Sequence, residues 1–290
     1  MTGILIVDKP RDWTSSDVVC KLRGMLHERR VGHSGTLDPM ATGVLPVFIG
    51  RATRAVEFCE SDEKEYIAGI RLGIETDTQD TTGTVLHTWD CTADETALRA
   101  VLPEFTGRIS QLPPMYSAVK VGGKKLYELA RRGVELERTP RQVTIRVLEL
   151  LSGGDDTYTL RVVCSKGTYI RTLCHEIGRQ LGCGAAMCAL RRVRAGSFSI
   201  GQAVTLEEVS AAVRQGCPEK LLMPVDSVFS QYPAVTVSGK KEKMCRNGAD
   251  FSLDDRPDGR YRVYNENGLF LMVGKMDDGI MHTEKSFFEV

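Results

Sequence analysis

The chain opens on an unbroken apolar run, Ile4-Leu5-Ile6-Val7, which Asp8-Lys9-Pro10 stops, so it reads as a strand. The next apolar residues, Val18, Val19, Leu22 and Leu26, fall at helical spacing behind Ser15 and Ser16, either of which can supply an N-cap hydroxyl. Residues 32–46 break both periods with Gly, Pro, Thr and Ser, which predicts a loop. The spacing then predicts a short helix over 52–59, strands over 66–72 and 84–89, and a helix over 94–102 stopped by Pro103. Residues 142–151 and 157–165 are β-rich runs around Ser152-Gly153-Gly154-Asp155-Asp156, a hairpin with a long loop. A helix over 169–181, a strand over 190–199 and a helix over 205–214 follow, the last with Thr205 and Glu208 spaced as a capping box.

Two stretches stand apart from this pattern. Residues 110–133 combine an extended, Pro-bound segment, Gln111 to Ser117, with a turn at Val121-Gly122-Gly123-Lys124 and a basic helix over 125–132 ended by Gly133. Such an excursion suits a binding arm or lid, and equally an ordinary surface loop. Near residue 225 the character changes to short β runs, 234–237, 261–264, 269–273 and 286–290, with turns at Asp258-Gly259, Asn267-Gly268 and Asp278-Gly279. Closely spaced strands of this kind predict a small β-barrel or sandwich, with a boundary at about 226–232.

At 290 residues and 42% hydrophobic, the chain has room for one large and one small domain. No run approaches the roughly 20 apolar residues that span a bilayer, and the N-terminus has neither a basic n-region nor a cleavage site, so a cytoplasmic location is expected. The cysteines number nine, and none forms a Cys-x-x-Cys pair. In a chain of this size without a signal segment a disulfide framework is not expected, so the thiols are read as reduced, and Cys174, His175, Cys183 and Cys188 fit no zinc spacing. Net charge is zero but unevenly placed: residues 57–104 carry twelve acids and three bases, 120–146 eight bases and three acids, and 161–194 seven bases and one acid. That asymmetry suits a polyanion held on one face, although solvated charges spread over the surface would give the same counts.

Asp38 lies in a Gly-rich loop directly before Pro39. Alone, an Asp in that place is most often a turn former. Gly32-His33-Ser34-Gly35-Thr36-Leu37-Asp38-Pro39-Met40-Ala41-Thr42-Gly43-Val44-Leu45-Pro46, however, resembles the catalytic loop of the pseudouridine synthases that modify uridine 55 in tRNA, the B family. Lys64-Glu65-Tyr66, Met115-Tyr116-Ser117-Ala118, Gly123-Lys124-Lys125-Leu126-Tyr127, Ser165-Lys166-Gly167-Thr168-Tyr169-Ile170-Arg171 and Leu190-Arg191-Arg192 resemble further motifs of that family, in the same order along nearly the whole chain. Ser34 and Met40 depart from the commoner Thr and Leu without removing a functional group.

The resemblance implies an α+β pseudouridine synthase fold, with a largely antiparallel central sheet flanked by helices. It implies a catalytic domain over 1–228, an inserted RNA-binding arm at about 108–140, and a short PUA-like RNA-binding domain over 229–290. It further implies Asp38 as the catalytic carboxylate, Arg171 as its cation and Tyr66 as the aromatic that stacks on the flipped base and takes a proton late in the reaction. Tyr169 and Leu190 would line the pocket, and His33 would contact the RNA near the flipped nucleotide. Lys9 and Lys64 would contact phosphates, and Lys120, Lys124, Lys125, Arg131 and Arg132 would attract the RNA backbone. The expected reaction is isomerisation of uridine to pseudouridine in the T-arm of tRNA, by a monomer needing no metal, cofactor, guide RNA or obligatory protein partner. A tRNA-folding chaperone role fits the same surfaces. A non-catalytic RNA-binding protein, a guide-dependent synthase and an aspartyl-phosphate phosphotransferase are the competing readings. The last lacks a second acid in the same loop to hold magnesium, and the guide-dependent reading lacks the expected long basic extensions.

Overall fold

The computed structural model describes residues 1–288 apart from 60–62, 118, 131, 135, 254 and 255, and gives only the backbone of Lys120, Val121, Lys124, Lys125 and Tyr127. Arg131 and the side chains of Lys120, Lys124 and Lys125 therefore lie outside the described residues.

In chain order the elements are β1 (Gly3–Lys9), α1 (Ser15–Leu26), β2 (Val31–His33), β3 (Thr42–Ile49), β4 (Lys64–Leu72), β5 (Ile74–Thr76), β6 (Val85–Thr88), α2 (Glu95–Val101) and β7 (Gly107–Gln111). The arm carries β8 (Lys120–Val121), β9 (Lys124–Lys125) and α3 (Leu126–Ala130). Then come β10 (Arg141–Gly154), β11 (Thr157–Cys164), α4 (Ile170–Gln180), β12 (Ala185–Ala195), β13 (Phe198–Ser199) and α5 (Leu206–Arg214). The C-terminal part holds β14 (Ala234–Val237), α6 (Gly239–Arg246), β15 (Phe251–Ser252), β16 (Gly259–Asn265), β17 (Phe270–Asp277) and β18 (Ile280–Ser286).

One sheet of nine strands runs β1-β3-β12-β4-β11-β10-β7, with β2 on β3 and β13 on β12. Its pairings are antiparallel except β12 against β3, which is parallel through Arg191–Thr42 and Arg192–Gly43. The unbroken run Ile4–Val7 is apolar because β1 is buried on both faces. Leu5 and Val7 pack with Leu45 and Val47 of β3 under Val18 and Leu22 of α1 and Leu206 of α5. Ile4 and Ile6, pointing the other way, pack with Val44, Phe48, Phe198 and Phe229. On β4 the period is two: Tyr66, Ala68, Ile70 and Leu72 face a core completed by Leu160 and Val162 of β11 and by Ile170, Leu173 and Ile177 of α4. The opposite face carries ion pairs between Glu65 and Arg161 (2.8 Å) and Arg194 (3.2 Å).

A second sheet, β14-β16-β17-β18-β15, forms the C-terminal unit around Val235, Tyr261, Val263, Leu271 and Met281. It shares a core with the large sheet. The Phe229 ring lies 5.0 Å from Phe58 and 5.5 Å from Phe287, and Arg54 Nη1 donates to the carbonyl and hydroxyl oxygens of Ser286, both at 2.9 Å. No helix among the described residues is long and apolar enough to cross a membrane.

Several expectations needed revision. The N-cap of α1 is Thr14, in a reciprocal box with Asp17, rather than Ser15 or Ser16. The loop expected over 32–46 is confined to 34–41, since β2 and β3 claim its ends. The β10–β11 hairpin turns at Asp155 and Asp156 alone. The strand expected from 190 begins at Ala185, and α6 and β15 fall where no element was expected. The final strand is 280–286 rather than 286–290. The capping box at Thr205 and Glu208 forms as the spacing predicts.

Candidate active site

The loop between β2 and β3 is held from four sides. Ser34 N–H donates to Pro46 O at 3.1 Å, closing its neck. Ser15, buried in the first turn of α1, accepts from Leu37 N–H at 2.9 Å and donates to Leu37 O at 3.3 Å. Arg192 of β12, 1% exposed, donates Nε to Val44 O at 2.7 Å and Nη2 to Gly35 O at 3.1 Å, clamping the loop at both ends. Gly43 is required where β12 passes alongside: its φ is +101°, and a Cβ there would meet Arg192 O at 2.2 Å. Pro39 and Met40 form the turn, with Ala41 N–H donating to Asp38 O at 3.0 Å. Leu37 and Met40 are buried with Tyr66 and Leu190, so the apolar neighbours of Asp38 anchor in the core while its carboxylate stays at the cleft.

Lys9 is the fourth anchor and departs from its expected role. It is fully buried, and its ammonium donates to Trp13 O (2.6 Å), Pro10 O (2.8 Å) and Pro39 O (3.2 Å). A lysine with three carbonyl partners and no exposed surface does not reach a phosphate. Burial pushes it down to about 8, with nearby Asp38 opposing.

Arg171, in the first turn of α4, is 6% exposed and faces Asp38 with one edge of its guanidinium, bidentate: Nε to Oδ2 at 3.0 Å and Nη2 to Oδ1 at 3.3 Å. The same guanidinium lies 3.6 Å from Asp80 Oδ2 and donates to Thr78 O at 3.2 Å and Tyr116 O at 2.9 Å. A cation at a helix N-terminus opposes the helix dipole, and the two carboxylates offset that cost. The Asp38 carboxyl is raised above its usual range. Burial is the main cause; Arg171 pulls the other way, and Asp80 adds to the rise. The side chain remains 36% exposed toward the cleft. Arg171 therefore moderates the upward shift without cancelling it.

Tyr66 sits on β4 opposite Arg192 and is 8% exposed. Burial raises its phenol, Arg192 opposes that through charge and a hydrogen bond, and Asp38 is close enough to add to it. Leu190, 8% exposed, lies in the same cluster. Tyr169 caps α4 with extended backbone, its N–H donating to Gln111 Oε1 at 2.7 Å and its carbonyl accepting from Gln111 Nε2 at 3.0 Å. His33 ends β2; burial first, and Arg192 second, hold it below the usual histidine range. His33 Nδ1 is buried with no hydrogen-bond partner among the described residues. Lys64 opens β4 and brings its Cε within 3.8 Å of where a Cβ on Gly35 would lie. Arg132 is exposed on the arm.

Sequence reasoning missed Asp80, Gln111, Ser15 and Arg192 as organisers of the site. Asp80 sits in a Thr-rich turn between β5 and β6, where Thr78 Oγ1 (2.9 Å) and Thr82 N–H (3.0 Å) donate to its Oδ1. In sequence it looks like any Asp in a turn. Arg192 carried a signal: it lies in the quoted Leu190-Arg191-Arg192 motif, where strand alternation points it inward while Arg191 pairs with Asp8 at 2.7 Å. Among the described residues no three His, Cys, Asp or Glu side chains cluster so as to hold a metal.

The geometry is thus an ionisable carboxylate in a clamped loop, paired with a buried guanidinium, beside an apolar shelf bearing a tyrosine. Residues 23–170 match the model of the TruB family pseudouridylate synthase N-terminal domain, and residues 171–230 match that of the tRNA pseudouridylate synthase B C-terminal domain. A tRNA pseudouridine synthase B of Pseudomonas fluorescens is 45% identical over 282 residues, covering 96% of this chain and 92% of the relative. One from Dehalococcoides mccartyi is 41% identical over 291 residues, covering 99% and 97%. Among solved structures, a chain of a Cbf5-Nop10-Gar1 complex superposes with a TM-score of 0.73 at 27% identity, covering 99% of this chain and 85% of that one. The chain belongs to the tRNA pseudouridine synthase B (TruB) family.

Proposed function

We propose that this chain isomerises uridine 55 in the T-arm of tRNA to pseudouridine, with Asp38 as the nucleophile. Family membership makes the chain a tRNA pseudouridine synthase; the position, the extruded base and the role of Asp38 are the finer reading. The observation that carries it is the bidentate pairing of Asp38 with Arg171 through one edge of the guanidinium, at 3.0 and 3.3 Å. A buried carboxylate needs such a cation to stay ionised near neutrality.

The reaction breaks the N1–C1′ bond of uridine, turns the base and rejoins it through C5. The Asp38 carboxylate attacks C1′ or C6, or acts on a ribose proton in a glycal route. In each route the detached uracil must stay in a dry pocket. Leu190 and the Tyr66 ring supply its apolar wall, and in this reading Tyr66 takes the C5 proton late in the reaction. Extruding the base costs a few kcal/mol of unstacking. Stacking on Tyr66, packing near Tyr169 and a contact from His33 offset that cost. Lys64 beside the loop, with Arg132 and the other basic residues of the arm, supplies attraction to the RNA backbone, so affinity falls as salt rises.

Residues 1–228 form the catalytic domain in this reading, with the arm at about 108–140 closing over the RNA and 229–290 acting as a short PUA-like unit. The enzyme works as a monomer without guide RNA or obligatory protein partner, and opening and refolding the tRNA elbow gives it a chaperone role. The test of position uses two transcripts, tRNA and the same tRNA with cytidine at 55. Chemical mapping should find pseudouridine at 55 in the first and none elsewhere in either; pseudouridine at another position would displace this reading.

A further inference from the structure

The sulfurs of Cys91 and Cys183 lie 2.7 Å apart. That is inside ordinary contact distance for two sulfur atoms and within a small side-chain rotation of the roughly 2.05 Å of a bond. Neither residue belongs to the site described above. Cys91 follows β6, and Cys183 sits in the turn joining α4 to β12. The backbone fixes both segments. Trp89 N–H donates to Gly73 O at 3.0 Å, Gly73 N–H donates to Gly184 O at 3.1 Å, and Cys183 N–H donates to Gly178 O at 3.2 Å. The Trp89 ring covers Gly184 so closely that a Cβ there would meet it at 2.4 Å. Two strand ends and a helix end thus converge on the sulfur pair, which does not depend on a mobile tip.

We propose that Cys91 and Cys183 form a reversible disulfide when the protein meets a peroxide or a low-molecular-weight disulfide. Cys91 is half-buried and accessible to a small oxidant, whereas Cys183 is 6% exposed. Cys91 is the attacking thiol. Its thiolate displaces hydroxide from hydrogen peroxide, giving a sulfenic acid. The Cys183 sulfur then attacks the Cys91 sulfur, losing its proton as water leaves. In balance, two thiols and one peroxide give one disulfide and two waters. With glutathione disulfide the same bond forms by two exchanges that release two glutathione thiols. Burial pushes the Cys183 thiol up to about 11, which suits the resolving partner rather than the first nucleophile.

The bond would join the β5–β6 segment, whose turn carries Thr78 and Asp80, to the far end of α4, whose first turn carries Arg171. It would fasten the frame around the Arg171–Asp38 pair without touching either residue, and it would close a long loop of chain, the case in which a cross-link constrains the unfolded state most.

The test treats the full-length protein with a small excess of hydrogen peroxide, and in parallel with glutathione disulfide, then maps peptides under non-reducing conditions. The expected result in both arms is a Cys91–Cys183 linked peptide pair, a loss of two hydrogens, and reversal by dithiothreitol. The melting temperature should rise by several degrees, with pseudouridine formation retained. Cys91→Ser should abolish the linkage and the thermal shift while leaving basal activity unchanged; Cys183→Ser should instead leave Cys91 as a sulfenic acid or a mixed disulfide. Both thiols still open to alkylation while exposed Cys20 is oxidised, or Cys91 trapped as a mixed disulfide in the wild-type protein, would overturn the proposal.

Discussion

Replacing Arg171 with Gln removes the one cation among the described residues that faces Asp38 along both carboxylate oxygens. Two unit charges about 4 Å apart are worth about 4 kcal/mol at an effective dielectric of about 20. The Asp38 side chain is 36% exposed, and water on that open side screens roughly half of this, leaving about 2 kcal/mol. At about 1.4 kcal/mol per factor of ten, charge alone makes ionised Asp38 about 30-fold scarcer at pH values below its acid limb. Loss of the bonds to Thr78 O and Tyr116 O adds a positioning defect. The sign follows from the carboxyl itself. Burial already raises it and Arg171 opposes the rise, so removing Arg171 raises it further and the active, ionised form appears only at higher pH. Single-turnover release of tritium from tRNA labelled at uridine C5, from about pH 5.5 to 9, should show an acid limb displaced to higher pH, with the rate depressed by about 30-fold on the acid side of the profile and recovering as pH rises. Affinity for tRNA by filter binding should change less than about threefold, and Arg171→Lys should keep part of the rate. An acid limb that stays at its wild-type position, or a loss of binding as large as the loss of rate, would refute the reasoning.

Lys9→Met leaves three carbonyls without their buried donor and should cost about 2–4 kcal/mol in denaturant unfolding; its tRNA affinity should keep the wild-type salt slope, whereas a phosphate contact would lower that slope by about one. Because Lys9 is depressed to about 8 from 10.5, the unfolded chain binds more protons between those values. This residue therefore makes stability rise with pH across that window, and the rise should vanish in Lys9→Met. Ser15→Ala removes both bonds to Leu37 and should cost about 1–3 kcal/mol in the same unfolding measurement, with a lower rate constant at unchanged tRNA affinity. Asp80→Asn keeps the turn but takes away one charge beside Arg171; since Asp80 adds to the rise of the Asp38 carboxyl, the acid limb of the rate profile should move to lower pH, opposite to Arg171→Gln.

Much of the site was legible because its chemistry is local in sequence. Asp38, Tyr66, Arg171 and Leu190 each lie in a motif, and the structure brings the four together. What the sequence hid was decided by tertiary burial. Lys9 reads as a surface cation by composition, yet the turn at Pro10 and the loop that carries Asp38 fold over it and give its ammonium three carbonyls. Thr14, Ser15 and Ser16 offer three equivalent hydroxyls to a helix start. Only the packed loop shows that Thr14 caps and Ser15 turns inward to hold Leu37. The first half of β12 escaped notice because Ala185, Ala186, Cys188 and Ala189 have no marked strand preference; pairing with β4 makes them a strand. Helix α6 was hidden by its charge: Lys240, Lys241, Glu242 and Lys243 show no apolar stripe, and Cys245 is its one fully buried side chain. Asp80 belongs to the site only because the β5–β6 turn lies across α4, a contact between residues about ninety positions apart.

The most direct test of the central claim compares wild type and Asp38→Asn for tritium release from uridine-C5-labelled tRNA under single-turnover conditions, with tRNA affinity measured on the same samples. Release by the wild type, no detectable release by Asp38→Asn, and equal affinities are the expected results. Release by Asp38→Asn at a rate near the wild type would contradict the account, because no other carboxylate occupies that place in the loop.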